Sequence, residues 1–414
     1  MAKIFEVKHV KQVVIIGGGP GGLMAAEVLS QHPGLAVTVY DAMPSVGRKF
    51  LQAGRGGLNI THAKPFDDFM ASYAEAKTQI EPWVRAFPPE AVRAWVEGFS
   101  IATFVGSSGR VYPQDMKAAP LLRAWLKRLR AQGVVFAMRH RWLGWDNAGA
   151  LIFEAAQSHV TRSTDFTLLA LGGASWPHLG SNGEWVQAFS ADHIAPFLPA
   201  NCGFDLNWSP AFKDRCAGQP LKSVILKVNT PQNTWQQKGE LLITEQGIEG
   251  SLIYKASRLL RDSLDEWGHV DAQLDLMPDT KLSGLEQKLC KPRGKLSLSN
   301  FFKRAGVDSL RLNLLREQLD NNELKQPMRV AARLKSYPLA IIKARPISEA
   351  ISSAGGLKFE SLNQSGEIIS RPGCYALGEM LDWEAPTGGY LLTAVLAQAR
   401  FVAQQIVKKT LTSR

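Results

Sequence analysis

A chain of 414 residues with 45% hydrophobic and 21% charged side chains is that of a globular protein, neither disordered nor fibrous, and is long enough for two domains. The four cysteines (Cys202, Cys216, Cys290 and Cys374) form no CxxC pair, which excludes a thioredoxin-like motif and a zinc ribbon and fits reduced thiols. The net charge of +11 is uneven: residues 281–345 hold fifteen basic against five acidic side chains, a local excess of +10, and the rest is close to neutral.

No run approaches the roughly 18 apolar residues that a membrane span needs. Met1–Lys11 has neither an apolar h-region nor a small-residue cleavage site, so a cytoplasmic protein without membrane contact is expected.

In chain order, Gln12–Ile16 reads as a buried parallel strand ending in glycine. Leu23–Ser30 reads as a helix stopped by His32, Pro33 and Gly34, and Ala36–Tyr40 as a second strand ending at Asp41. Between the first strand and the helix, Gly17, Gly19 and Gly22 form GxGxxG, with Pro20 inside it. Gly17 permits the tight turn, Gly19 lets backbone approach a pyrophosphate, and Gly22 allows close helix–strand packing. The helix N-terminus then aims N–H groups at the phosphates. Asp41 lies 22 residues beyond Gly19, where a carboxylate accepts from ribose hydroxyls. These features point to a dinucleotide; the turn alone does not separate FAD from NAD, and a plain tight turn is the bland alternative.

A second cluster runs from Gly47 to Thr61. Gly54, Gly56 and Gly57 offer bare backbone, Asn59 and Thr61 offer donors to a flat polar ligand, and Arg48, Lys49 and Arg55 offer charge for phosphates or an anionic reduced flavin. Its alternative reading is a glycine loop with a solvated basic flank. Residues 62–130 read as mainly helical around Trp83, Trp95 and Trp125; Gly133–Phe136 and Leu151–Ala155 read as strands, and Phe166–Leu171 as a buried strand ending at Gly172 and Gly173.

From about Ile194 the pattern changes to short alternating segments (Lys222–Val228, Glu240–Thr244) followed by basic helical sequence. A strand returns at Gly373–Leu377, ending in Gly378 and Glu379, and Gly388, Gly389 and Tyr390 open a helix that runs through Val407. Such a helix start would stabilise charge on a ligand, or would simply be capped by Thr387. The expected architecture is α/β: a discontinuous Rossmann-type domain (1–193 and 346–414) interrupted by a mixed β/helical domain (194–345).

With these motifs in place, the chain resembles the HI0933-like family of bacterial NAD(P)/FAD-dependent oxidoreductases. The resemblance rests on GGGPGG (17–22), GRKFLQAGRGGLNIT (47–61), GRVYP (109–113), LALGGASWPHLGSNG (169–183), GELLITEQGIEGS (239–251), AGG (354–356) and GCYALGEMLDWEAPTGGY (373–390). It implies FAD as cofactor, with Gly17, Gly19 and Gly22 at the pyrophosphate and Asp41 at the adenosine ribose. It places Arg48 and Lys49 beside the nucleotide and the 54–61 loop beside the isoalloxazine. Gly378 and Glu379 would meet ribitol and phosphate, and Gly388, Gly389 and Tyr390 the pyrimidine end. Many relatives carry Arg-Cys-Asn where this chain has Gly57, Leu58 and Asn59, so a thiol relay beside the flavin is not expected and the chain resembles a distinct subgroup.

Two activities are consistent with these residues. One is hydride transfer through flavin N5 to or from a small unsaturated or carbonyl metabolite, with NAD(P)H as a transient donor, since only one GxGxxG is present. The other is reduction of uridine in RNA held by the basic 281–345 segment with Phe301, Phe302 and Tyr337 interleaved. A solvated helical face also explains that segment. A flavin-holding sensor has no distinctive support. No catalytic residue is assigned: His62, Tyr112, His178 and Cys374 lie near the loops, but each has an ordinary structural reading. No metal is expected.

Overall fold

The computed structural model describes residues 10–156 and 158–412. The first nine residues, read above as lacking a leader, lie outside the described part. The chain divides into two compact units, Met1–Pro199 with Ile347–Arg414, and Ala200–Pro346.

The first unit is built on a five-stranded parallel sheet whose spatial order is Cys374–Ala376, Phe166–Leu169, Lys11–Ile16, Leu35–Asp41, Val135–Met138. Val13 to Ile16 and Phe166 to Leu169 are buried throughout, as expected of strands covered on both faces. One of the coverings is the pair formed by the helices Pro20–Ser30 and Tyr390–Thr412. Ala25 and Ala26 on the first, and Ala394, Ala397, Ala399 and Ala403 on the second, are fully buried small residues that allow close approach.

The strand order reverses beside Lys11–Ile16: the chain first moves outward on one side, then returns through Phe166–Leu169 on the other. The carboxyl ends of these two strands therefore flank a topological switch point, where open α/β sheets place their ligand crevice. Two antiparallel sheets join this unit, one of His140–Trp145, Leu151–Ala155 and Ser158–Arg162, the other of Thr61–His62, Arg110–Pro113 and Thr103–Val105.

The last of these corrects the helical reading of 62–130. Helices occupy Lys77–Ala86, Pro89–Glu97 and Ala118–Ala131, but a hairpin closed by Gly106 and Gly109 lies between them. Its arms are three and four residues long, too short for alternation to stand out between Trp-rich amphipathic helices.

The second unit holds a seven-stranded sheet, in order Tyr337–Pro338, Asp271–Asp275, Pro220–Asn229, Thr234–Ile243, Gly247–Glu249, Phe204–Leu206 and Ile341–Ala344, all pairs antiparallel. The helix Ser251–Trp267 packs against it through Leu252, Ile253, Ala256 and Leu260. No helix among the described residues is long and apolar enough to cross a membrane.

Candidate functional site

The glycine turn after the first strand divides its work among three positions. Gly17 has φ +107°, and a Cβ there would strike the Ala170 carbonyl at the end of the neighbouring strand. Gly22 sits in the first turn of the helix, where a Cβ would strike the Gly17 carbonyl. Gly19 is different: a Cβ would meet nothing within 4 Å, so its backbone faces open space at the helix start. Pro20 takes the first helical position, where its missing N–H costs no hydrogen bond.

Asp41 closes this turn. Its Oδ2 accepts from the Gly18 N–H at 2.8 Å and its Oδ1 from the Met43 N–H at 2.8 Å. Burial raises its pKa above the ordinary carboxylate value, while those two N–H bonds and the Arg48 charge pull it down. Gly47 N–H donates to the Gly18 carbonyl, tying the second cluster to the first. Gly47 itself needs its positive φ of +71° to start the short helix Arg48–Ala53.

Lys49 lies at the centre of a polar network rather than at a vacant phosphate cradle. Its Nζ donates to Glu379 Oε2 (2.8 Å), Ser175 Oγ (2.9 Å) and Ser181 Oγ (3.3 Å), while Glu379 Oε1 accepts from the Ser353 N–H (3.0 Å). Ser353 Oγ in turn accepts from the N–H groups of Ala174 and Ser175, just beyond Gly172. Gly172 has φ +70° and its carbonyl accepts from Trp185 Nε1 at 2.8 Å. The N–H of Gly378 donates to Gln398 Oε1 at 2.7 Å. Ser175, Ser181, Ser353 and Gln398 were not legible as site residues, although three of them sit in or beside the quoted motifs.

Asn59, Thr61 and Tyr390 are each engaged within the protein. Asn59 does not offer its amide N–H groups outward: Nδ2 donates to the carbonyls of Thr61 (2.8 Å) and Val111 (3.0 Å). The Thr61 hydroxyl is fully buried and accepts from Thr393 Oγ1 at 2.8 Å, locking the glycine loop to the last helix. Gly389 passes so close to this strand that a Cβ would lie 2.6 Å from Thr61 Cα. The Tyr390 ring is likewise buried, against His62 (5.5 Å) and Phe69 (4.8 Å), and is not presented at a surface. What stays open is the backbone at Gly56, with nothing within 4 Å of a Cβ there, whereas a Cβ on Gly54 would strike Ala118 and one on Gly57 the Met116 methyl.

The three glycine regions thus meet in one place. Gly47 N–H joins the second to the first, Lys49 and Thr61 join it to 379 and 389, and a Cβ on Gly21 would lie 2.7 Å from Leu377. Three buried polar atoms of residues named above have no partner among the described residues, Arg48 Nε, Asn59 Oδ1 and Gln398 Nε2. The first two, a buried donor and a buried acceptor, are costly without partners, so they fit a bound group that presents both an acceptor and an N–H. FAD has both, together with a diphosphate for the open backbone at Gly19.

Of the side chains weighed for catalysis, Cys374 is buried in its strand, and burial pushes its thiol up to about 12 against the pull of Arg371. Iodoacetamide at about pH 8 is therefore expected to label the exposed Cys290 and leave Cys374 unmodified in the native protein, as read by peptide mass.

The basic segment is largely consumed by its own unit. Arg311 donates to the carbonyls of Leu276 and Lys222, Lys335 pairs with Asp275, Arg329 with Glu323, and Arg345 with Asp205. Lys288, Lys291, Arg293, Lys295 and Lys303 remain exposed. The aromatic part of the RNA expectation does not hold: Phe301, Phe302 and Tyr337 are buried, since they supply core volume and not a stacking surface.

The chain matches the family model described as HI0933-like protein Rossmann domain over residues 11–405. It is 26% identical over 399 residues, 92% of this chain and 95% of the other, to 3-dehydro-bile acid delta(4,6)-reductase of Clostridium scindens. Among solved structures it is similar to 3-ketosteroid-delta4-(5alpha)-dehydrogenase of Rhodococcus jostii RHA1 in complex with 4-androstene-3,17-dione (TM-score 0.46, 14% identity, 97% of this chain and 98% of that one). It is also similar to the Mycobacterium smegmatis Sdh1 complex in the apo form (TM-score 0.43, 14% identity, 97% of this chain and 69% of that one). Structural likeness of that order carries no functional argument.

Proposed function

The chain belongs to the HI0933-like family of flavoprotein oxidoreductases, and on that premise we propose that it is an FAD-dependent reductase of a small conjugated carbonyl metabolite, with NAD(P)H as electron donor. The observation that carries this reading is the meeting of three glycine turns at the switch point, around buried polar atoms of Arg48 and Asn59 that have no partner among the described residues. Its substrate class is supported by the name of the Clostridium scindens relative, a reductase of a 3-dehydro-bile acid.

When bound, FAD supplies hydride transfer at its N5. The protein's part is to hold and to exclude. The open backbone at Gly19 and the N–H groups that begin the Pro20–Ser30 helix take the pyrophosphate, and the carboxylate of Asp41 has further lone pairs for ribose hydroxyls. Arg48 Nε would donate to the nucleotide, while Lys49 neutralises Glu379 so that this carboxylate could stand near a diphosphate. Asn59 Oδ1 would accept from a ring N–H, its amide orientation being enforced by the Thr61 and Val111 carbonyls. The open backbone at Gly56 would face the ring system, while Gly54, Gly57 and Gly389 let the loop pack against Ala118, Met116 and Thr61.

The purified protein is expected to be yellow and to release FAD on denaturation. Anaerobically, NADPH is expected to bleach it, and a 4-en-3-one steroid or 2-cyclohexenone to restore the colour. A folded, colourless protein that ignores added FAD would sink the cofactor reading. A bleached protein that no enone reoxidises would sink the substrate class.

A further inference from the structure

The small antiparallel sheet beside the glycine loop has a face that the cofactor reading does not use. Its register sets Phe104 opposite Tyr112 and His62 opposite Arg110. Opposed residues, and residues two apart along a strand, share a face, so His62, Arg110, Tyr112 and Phe104 line one side. Val111, fully buried, points the other way into the core.

The rings of Phe104 and Tyr112 stack at 5.7 Å with 29° between their planes, and both are half-buried. The pair adjoins the glycine loop: a Cβ on Gly57 would lie 3.6 Å from the Tyr112 ring and 2.6 Å from the Met116 methyl. Met116, whose carbonyl accepts from the Leu58 N–H of the loop, and Leu51, which precedes the loop, are each 39% exposed. At the other end of the row, the half-buried Arg110 donates to Thr387 Oγ1 at 3.3 Å, immediately before Gly388 and the last helix. No carboxylate pairs with it among the described residues, in contrast to Arg128 of the same unit, which pairs with Glu27. An apolar aromatic surface thus ends at a guanidinium with no carboxylate partner among the described residues.

We propose that this face is the substrate wall: the Phe104–Tyr112 stack takes the flat apolar body of a conjugated ring ketone, and Arg110 takes its carbonyl oxygen. The assignment deepens the function proposed above and rests on it. Hydride, drawn from NAD(P)H by way of the flavin, would add to the β carbon of the enone; the Cα=Cβ π pair shifts to join the α and carbonyl carbons, the carbonyl π pair moves onto oxygen, and Arg110 holds the resulting enolate. The α carbon then takes a proton from water, and NAD(P)H is the reductant that is oxidised. Arg110 acts where negative charge develops, which is where a fixed cation lowers a barrier most.

The test uses the yellow holoenzyme and 2-naphthol, a flat apolar ring system with a single ionisable oxygen. Held against oxidised flavin, its naphtholate gives a long-wavelength charge-transfer band. The wild type is expected to develop the band, Arg110→Gln to bind the probe at least about tenfold more weakly with its colour retained, and Arg110→Lys to fall between them. Phe104→Ala is expected to weaken the probe while keeping the band's wavelength, and Arg110→Gln to slow enone reduction by about 100-fold. Wild-type protein that is yellow but gives no band, or an Arg110→Gln variant that binds naphthol as tightly as wild type, overturns the wall and leaves the cofactor reading intact. Loss of colour in both Arg110 variants would assign Arg110 to the cofactor and overturn it as well. A colourless wild type would instead bring down the function on which the wall rests.

Discussion

Gly19→Val is expected to give a protein of wild-type stability that is colourless. The backbone at Gly19 has φ −75° and ψ −179°, an extended conformation that any residue adopts, and a Cβ there touches nothing within 4 Å. The substitution should therefore cost the fold no more than about 0.5 kcal/mol. The two methyls of valine would, however, fill the space into which a pyrophosphate must come for the helix N–H groups to reach it. FAD affinity is expected to fall by at least about 100-fold, or 2.7 kcal/mol. Thermal unfolding and visible absorbance of the same preparation separate the two effects. Gly22→Val is the contrasting control, because its Cβ collides with the Gly17 carbonyl and should lose the fold along with the colour. If Gly19→Val protein stays yellow, the diphosphate does not pass over this glycine.

Gly389→Ala is expected to destabilise the protein by about 2–6 kcal/mol, combining strain of about 1–3 kcal/mol from a non-glycine residue at positive φ with about 1–3 kcal/mol of overpacking. Gly389 has φ +87°, and an added Cβ would lie 2.6, 2.7 and 2.8 Å from Thr61 Cα, N and C. These are backbone atoms of a strand, so neither side can yield without parting the glycine loop from the last helix. Urea unfolding should show a lower midpoint with an unchanged slope. Thr393→Val offers a milder comparison. It removes the hydroxyl link to Thr61 but adds no clash at the backbone, and about 1 kcal/mol is expected. A Gly389→Ala protein as stable as wild type would mean that the two segments do not meet as described.

Much of the first unit was legible because its demands are local. Gly17, Gly19 and Gly22 follow an unbroken apolar run and precede a helix, and each glycine answers a requirement within one turn of itself or at the adjacent strand. The return of the chain at Gly373–Gly389 was legible for the same reason, as a strand, glycine and helix start in succession. The hairpin at 103–113 escaped notice because three or four residues do not establish a period. The basic stretch misled in one respect. Charge and aromatic content are visible in composition, but whether Phe301 and Phe302 face water or core depends on which side of a seven-residue helix meets its neighbours.

The amino-acid order alone determined where the backbone must turn, where strand gives way to helix, and that the first and last segments belong to one cofactor-type domain. Only the tertiary structure decided which polar side chains remain for a ligand. Lys49 is taken by Glu379, 330 residues away, Thr61 by Thr393, 332 away, and the Asn59 amide in part by Val111. A buried polar group must find a partner, and the partner is chosen by proximity in space. Spacing along the chain therefore predicts the turns, while the division of lysine, threonine and asparagine between scaffold and site is settled only when distant segments pack together.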